Sequence, residues 1–247
     1  MKTRIVISCA GLSLLCASLL AAEPSAQFAK AGQEYAAGDF KAAIDDYEAL
    51  VRAGQDTPNL FYNLGNAYFR KNDFGRAILS YERALALDPH HPEAAANLRI
   101  ARDEARALEL VPTQSERLFA FANENQLVVT AAIAFWIGIF SIATCIIGRR
   151  RSSGALALSI LSLSIFAIAV VASYQLNQGK NGPGLAIVTG DKVDARLATA
   201  DNANRVLTLP AGSEIKIVSH RGDWIYAALP NNLRGWIPAN SAEQVRF

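Results

Sequence analysis

Six side chains have the types and spacing for recognition chemistry: Tyr62, Asn63, Asn66, Phe69, Arg70 and Asn97. An asparagine amide donates and accepts at once, so a row of them suits the alternating N–H and C=O groups of an extended peptide. Two aromatic rings and a guanidinium beside them add apolar contact and one positive charge. A second grouping, Trp224, Tyr226 and Trp236, lies far along the chain. Such a trio either fills a small core or lines an aromatic groove that holds proline-rich or cell-wall peptides.

Residues for catalysis are not assembled in the same way. Asp45-Asp46 and Asp103-Glu104 are sequence neighbours, which point apart on a helix and read as solvated charges. His90 and His91 sit between Pro89 and Pro92 and read as solvated turn residues, and His220 has no patterned carboxylate partner. No nucleophile elbow, phosphate-binding glycine loop or histidine metal motif occurs. Gly182-Pro183-Gly184 puts a proline where a phosphate cradle needs an amide. Cys9, Cys16 and Cys145 all fall in apolar stretches, so the polar segments have no cysteine for a disulfide, a thiolate zinc site or a nucleophile. No catalytic residue, metal or cofactor is expected, and the chain does not read as an enzyme.

The net charge of +2 over 247 residues hides a split. Residues 23–118 hold 11 Lys+Arg against 15 Asp+Glu, and residues 175–247 hold 8 against 6. Neither segment has a dense basic patch with interleaved aromatics, so nucleic acid is not an expected partner.

The elements that position the first grouping come from a repeat. Sliding the chain by 34 residues lays Ala43-Ile44 on Ala77-Ile78, Tyr47 on Tyr81 and Gly38-Asp39-Phe40 on Asn72-Asp73-Phe74. That period is the tetratricopeptide length, with two antiparallel helices per repeat. Gly65, Ala77 and Ala84 let the helices approach, Tyr68 and Tyr81 fill the space between them, and Pro89 stops the second helix. The run from Ala95 to Leu108 reads as a capping helix, with Asn97-Leu98 falling on Asn63-Leu64. Residues 23–110 therefore form a short all-α solenoid, and the six side chains lie on its concave face. Tetratricopeptide grooves that grip a carboxyl terminus use basic residues where this chain has Phe28 and Glu93, so that clamp is not expected.

Residues 1–22 read as a signal peptide, with Lys2 and Arg4 ahead of an apolar core and Ala21-Ala22 at its end. Thr113-Gln114-Ser115-Glu116 has capping-box spacing before Leu118, Phe119 and Phe121, which places a short membrane-surface helix in residues 111–126. Residues 127–148 and 154–174 are uncharged, and the first run would reach about 33 Å as a helix, enough to cross a hydrocarbon core of about 30 Å. Arg149, Arg150 and Arg151 in the loop at 149–153 mark its cytoplasmic side. Both flanking segments are then expected outside, in the periplasm of a bacterial inner-membrane protein.

Beyond a linker at 175–184, short β-type runs follow at Leu185 to Thr189, Arg205 to Leu209, Ile215 to Val218, Trp224 to Ala228 and Arg234 to Ile237. About five strands in residues 185–247 suggest a small all-β barrel. Leu209-Pro210-Ala211-Gly212, Gly222-Asp223-Trp224 and Gly235-Trp236-Ile237 resemble the bacterial SH3-like domain. The whole order is a multidomain membrane protein: tetratricopeptide solenoid, two-helix transmembrane hairpin and SH3-like barrel. With Tyr62-Asn63-Leu64-Gly65-Asn66-Ala67-Tyr68 and Ala77 to Leu85, it resembles the E-type members of the bacterial Bat aerotolerance family. That resemblance implies a non-catalytic scaffold in an envelope complex, with von Willebrand A-type membrane proteins and a MoxR-type ATPase as partners. A peptidoglycan-binding anchor acting through the SH3-like domain is the alternative.

Overall fold

The computed structural model describes residues 26–119, 122, 124–147, 153–177 and 182–246. The signal-peptide reading, Cys9, Cys16 and the arginines at 149–151 lie outside the described residues. Five helices open the fold: α1 (Ala26–Ala36), α2 (Phe40–Arg52), α3 (Pro58–Arg70), α4 (Phe74–Leu87) and α5 (Pro92–Ala105).

The repeat is legible in its caps. Asp39 and Asp73, 34 positions apart, each cap the second helix of a pair by accepting the amides of Ala42 and Arg76 at 3.1 Å. The residues before them, Gly38 and Asn72, both take positive φ, 84° and 60°. That conformation lets the Asp39 and Asp73 amides return to the carbonyls of Glu34 and Tyr68 and close the preceding helix. Inside each pair a small residue meets a tyrosine. A Cβ on Gly65 would lie 2.6 Å from the ring of Tyr81, so this contact requires glycine. His91 is a helix cap and not a solvated turn residue: its Nδ1 accepts the amide of Ala94 at 3.3 Å and opens α5.

A short helix α6 (Gln114–Phe119) leads to α7 (Glu124–Ile147) and α8 (Ser153–Asn177), which pack against each other. Both are long and apolar enough to cross a membrane, with mean hydropathy 2.2 and 2.6 over their spans. Ser141, Ser159 and Ser162 are buried, and the Ser159 and Ser162 hydroxyls donate to the carbonyls of Ala155 and Leu158 one turn earlier. Their large apolar side chains, Ile133, Trp136, Phe140, Leu161 and Ile168 among them, are exposed.

Seven strands follow: β1 (Leu185–Val188), β2 (Lys192–Arg196), β3 (Arg205–Pro210), β4 (Glu214–Arg221), β5 (Trp224–Ala228), β6 (Arg234–Pro238) and β7 (Ala242–Gln244). They form one antiparallel sheet in the order β3-β2-β6-β5-β4-β1-β7. The sheet is not closed, since β3 and β7 are its two edges, and in this respect it departs from the expected barrel. Two strands go beyond the five expected. β2 reads Lys-Val-Asp-Ala-Arg, whose alternation is carried only by Val193 and Ala195, and β7 is three residues with one apolar side chain.

The sheet packs directly on the helices. Leu185, Ile187 and Val245 share one buried cluster with Ile78, Leu98 and Ala101. Gly75 on α4 lies so close to β1 that a Cβ there would be 3.0 Å from the carbonyls of Val188 and Thr189. Gly212, with φ of 79°, is pressed against Ile78. Arg102 on α5 pairs with Glu82 on α4 and with Glu214 on β4, and Glu109 approaches at 3.5 Å. Glu214 is 1% exposed. Its other oxygen accepts the Leu110 amide at 2.9 Å, and its own amide donates to the Leu108 carbonyl at 2.8 Å. The stack's open end is thus covered by α5 and the sheet together.

Candidate partner-binding groove

Residues of α1, α3, α4 and α5 enclose a cleft of about 130 Å³, lined by Tyr35, Asn66, Phe69, Arg70, Asn97 and Ile100 over the Tyr81 ring. Small-molecule sites are usually about 300–1,000 Å³. This cleft instead suits one side chain of a larger partner whose backbone runs along the helices.

Asn66 sits at its centre. Its Oδ1 accepts the Tyr81 hydroxyl at 2.8 Å and the Asn97 Nδ2 at 2.9 Å. Burial raises the Tyr81 pKa well above the usual phenol range, so the hydroxyl stays a neutral donor. With both oxygen lone pairs used, Asn66 has only its amide nitrogen to offer a ligand, whereas Asn97 has its carbonyl and a second N–H. Of the two asparagines, only Asn97 can still donate and accept at once.

Arg70 is exposed and supplies the lining's one charge, and its guanidinium is held 4.5 Å above the Phe40 ring. Phe69 packs edge-on against Phe74 at 5.5 Å. Two of the expected six stand elsewhere. Tyr62 turns toward the α4–α5 corner, its ring 5.0 Å from His91 and 6.3 Å from Tyr81. Asn63 is half-buried and does not line the cleft. Tyr35 and Ile100 were missed, yet the repeat offset points to both. Adding 34 to Tyr35 gives Phe69, and adding 34 to Asn66 gives Ile100, which is 51% exposed.

On the opposite side of α4, at the sheet, a second cleft of about 200 Å³ is lined by charged side chains that already have ion-pair partners. Arg52 meets Glu48 at 3.2 Å, Arg83 meets Glu243 at 3.3 Å, and Arg76 meets Asp73 at 3.0 Å. Groups already matched in this way have less to gain from a partner than the cleft beside Arg70.

The aromatic trio lies on the outer face of the sheet. Register places Arg196, Trp236, Tyr226 and Ser219 in one row across four strands, and Pro238, Trp224 and Arg221 in the next. Tyr226 and Trp236 are 5.0 Å apart. All three rings are half-buried, while Ile225, Ala227 and Ile237 from the alternate positions fill the core. The tryptophans are thus not core residues.

Residues 28–92 match the tetratricopeptide repeat family. The matched stretch runs from α1 to the first residue of α5, so it contains Tyr35, Asn66, Phe69, Arg70 and Tyr81 but not Asn97 or Ile100. Repeats of this family typically bind proteins and are typically non-catalytic. A search of curated proteins finds no match to the chain.

Proposed function

We propose that this chain is a non-catalytic scaffold of a bacterial inner membrane that holds a protein partner in the groove between α1, α3 and α5. The cleft around Asn66 carries this reading. It combines a neutral amide network for peptide backbone, an apolar socket for one side chain, and Arg70 at the edge. The membrane placement rests on α7 and α8, whose exposed apolar surface would be unfavourable in water and is matched by lipid. The contact between repeats and sheet adds a topological argument. Segments before α7 and after α8 that touch must lie on one side of the bilayer, and the arginines at 149–151 would put the other side in the cytoplasm. By its resemblance to the Bat family, the scaffold would serve an aerotolerance or envelope-stress complex with von Willebrand A-type proteins and a MoxR-type ATPase.

The test is in-cell crosslinking and affinity purification of the native chain beside an Arg70→Ala, Ile100→Glu double variant. Both side chains are exposed, so the variant keeps the fold. Specific membrane or periplasmic proteins recovered with the native chain should be lost with the variant. Unchanged recovery would sink the groove assignment.

The outer-face aromatics favour a second reading, a cell-wall anchor acting through an SH3-like sheet. Half-exposed Trp224, Tyr226 and Trp236 offer flat apolar faces for sugar rings or peptide stems. Co-sedimentation with purified peptidoglycan that disappears with Trp236→Ala would support it, and no co-sedimentation of the native chain would remove it.

A further inference from the structure

We infer that α6 is a foot set into the lipid headgroup–acyl boundary, which fixes the repeats and sheet at one attitude on the bilayer. This rests on the reading of α7 and α8 as membrane spans and adds to it a lipid-binding surface on the polar side of the chain. The helix is held by its own cap: the Thr113 amide donates to Glu116 Oε2 at 2.6 Å, and the Glu116 amide donates to Thr113 Oγ1 at 3.3 Å. Glu116 is only 8% exposed. Its charge lies close enough to Lys216 on β4 to oppose the lowering that burial imposes on that ammonium. The Glu116 side of α6 is thus the buried one, and the helix packs on α8.

On the opposite face, the described residues leave Leu118 uncovered. Leu118 follows Glu116 by two residues, about 200° round a helix, and is 70% exposed. Val111, just ahead of α6, is 54% exposed. Exposed apolar side chains continue from there onto the same end of the hairpin. Val128 and Val129 lie in the first turns of α7 at 53% and 57%, and Tyr174 near the end of α8 at 63%. A tyrosine at that depth suits the membrane–water interface. The exposed Arg117 between Glu116 and Leu118 would meet headgroup phosphates while its neighbour enters the acyl boundary. The occupant is therefore the bilayer that the hairpin crosses, because α6 packs on α8, whose own apolar side chains are exposed.

The test uses the full chain with its native cysteines replaced by alanine, reconstituted in phosphatidylcholine–phosphatidylglycerol nanodiscs. A polarity-sensitive fluorophore is attached at Leu118→Cys, at Ile133→Cys within α7, or at Leu197→Cys on the far side of the sheet. Each is measured with lipids brominated near the headgroup end of the acyl chain and with lipids brominated near its methyl end. The label at 118 should lose most of its fluorescence to the shallow bromines and little to the deep ones. The label at 133 should respond to the deep ones, and that at 197 to neither. A label at 118 that responds to neither set, while 133 is quenched, overturns the foot and leaves the spans standing. If 133 is also unquenched, the membrane reading fails and the foot with it.

Discussion

On the groove side of the helical stack, Asn66, Asn97 and Tyr81 share neutral hydrogen bonds around a cleft whose one charge, Arg70, faces solvent. On the sheet side, Arg83 and Arg102 are 12% and 16% exposed and meet carboxylates and a carbonyl brought in by other elements. The first arrangement leaves donors, an acceptor and an apolar socket for something not yet bound. The second commits its charges to joining two parts of the chain. A surface with an open socket is where a partner is expected, and a surface whose charges tie two elements together is where stability is stored. Substitutions on the two sides should therefore separate binding from folding.

The largest effect is expected at the joint. Glu214→Ala removes two hydrogen bonds to a buried carboxylate, from the Leu110 amide and from Arg102, which keeps Glu82 and Glu109; each is worth about 1.5–3 kcal/mol. Thermal unfolding of the purified chain in detergent should show the drop, and an Arg102→Ala, Glu214→Ala cycle should recover part of it. Gly212→Ala comes next, at about 1–3 kcal/mol, because its positive φ is strained for alanine and its Cβ meets Ile78. Trimming that neighbour with Ile78→Val should relieve part of the clash, which a purely conformational penalty would not allow. Gly65→Ala tests the groove side with a clash against Tyr81, also at about 1–3 kcal/mol. Moving Tyr81 should in addition loosen the Asn66 network and weaken partner capture more than the Gly212 change does. The smallest effect on stability is expected for Ile100→Glu, within about 0.5 kcal/mol. It should nonetheless abolish capture in the crosslinking assay. If Ile100→Glu unfolds the chain, or Glu214→Ala removes capture without lowering stability, the contrast between the two sides is wrong.

The sequence could show the repeat because it writes the same instruction twice. Gly38-Asp39 and Asn72-Asp73 take equivalent turns and caps, and the offset that aligns them also points to Tyr35 and Ile100. It could not show that Asn66 is occupied by Tyr81 and Asn97, since hydrogen-bond saturation is settled only when three helices meet. The two long apolar helices were legible from length and lack of charge alone. The joint between repeats and sheet was not legible. Arg102 and Glu214 are 112 residues apart with both apolar helices between them, and Arg83 and Gln244 are 161 apart. Neither pair belongs to any local period. In the same way β2 and β7 owe their pairing to neighbours in the sheet rather than to their own composition. The open edge order followed from those pairings, and a count of strands could not supply it.

The separation of Arg102 from Glu214 also sets a clock. At about 5–20 residues per second, Glu214 is made roughly 6–20 s after Arg102. Throughout that interval Gly75, Ile78 and the outer flank of α4 have no sheet to meet, while the two apolar helices are synthesised. Ile78, fully buried in the finished fold, is then an exposed apolar residue on a helix that has already formed. The youngest chains should accordingly be the ones that chaperones hold and proteases cut at α4, and those interactions should end once the sheet arrives.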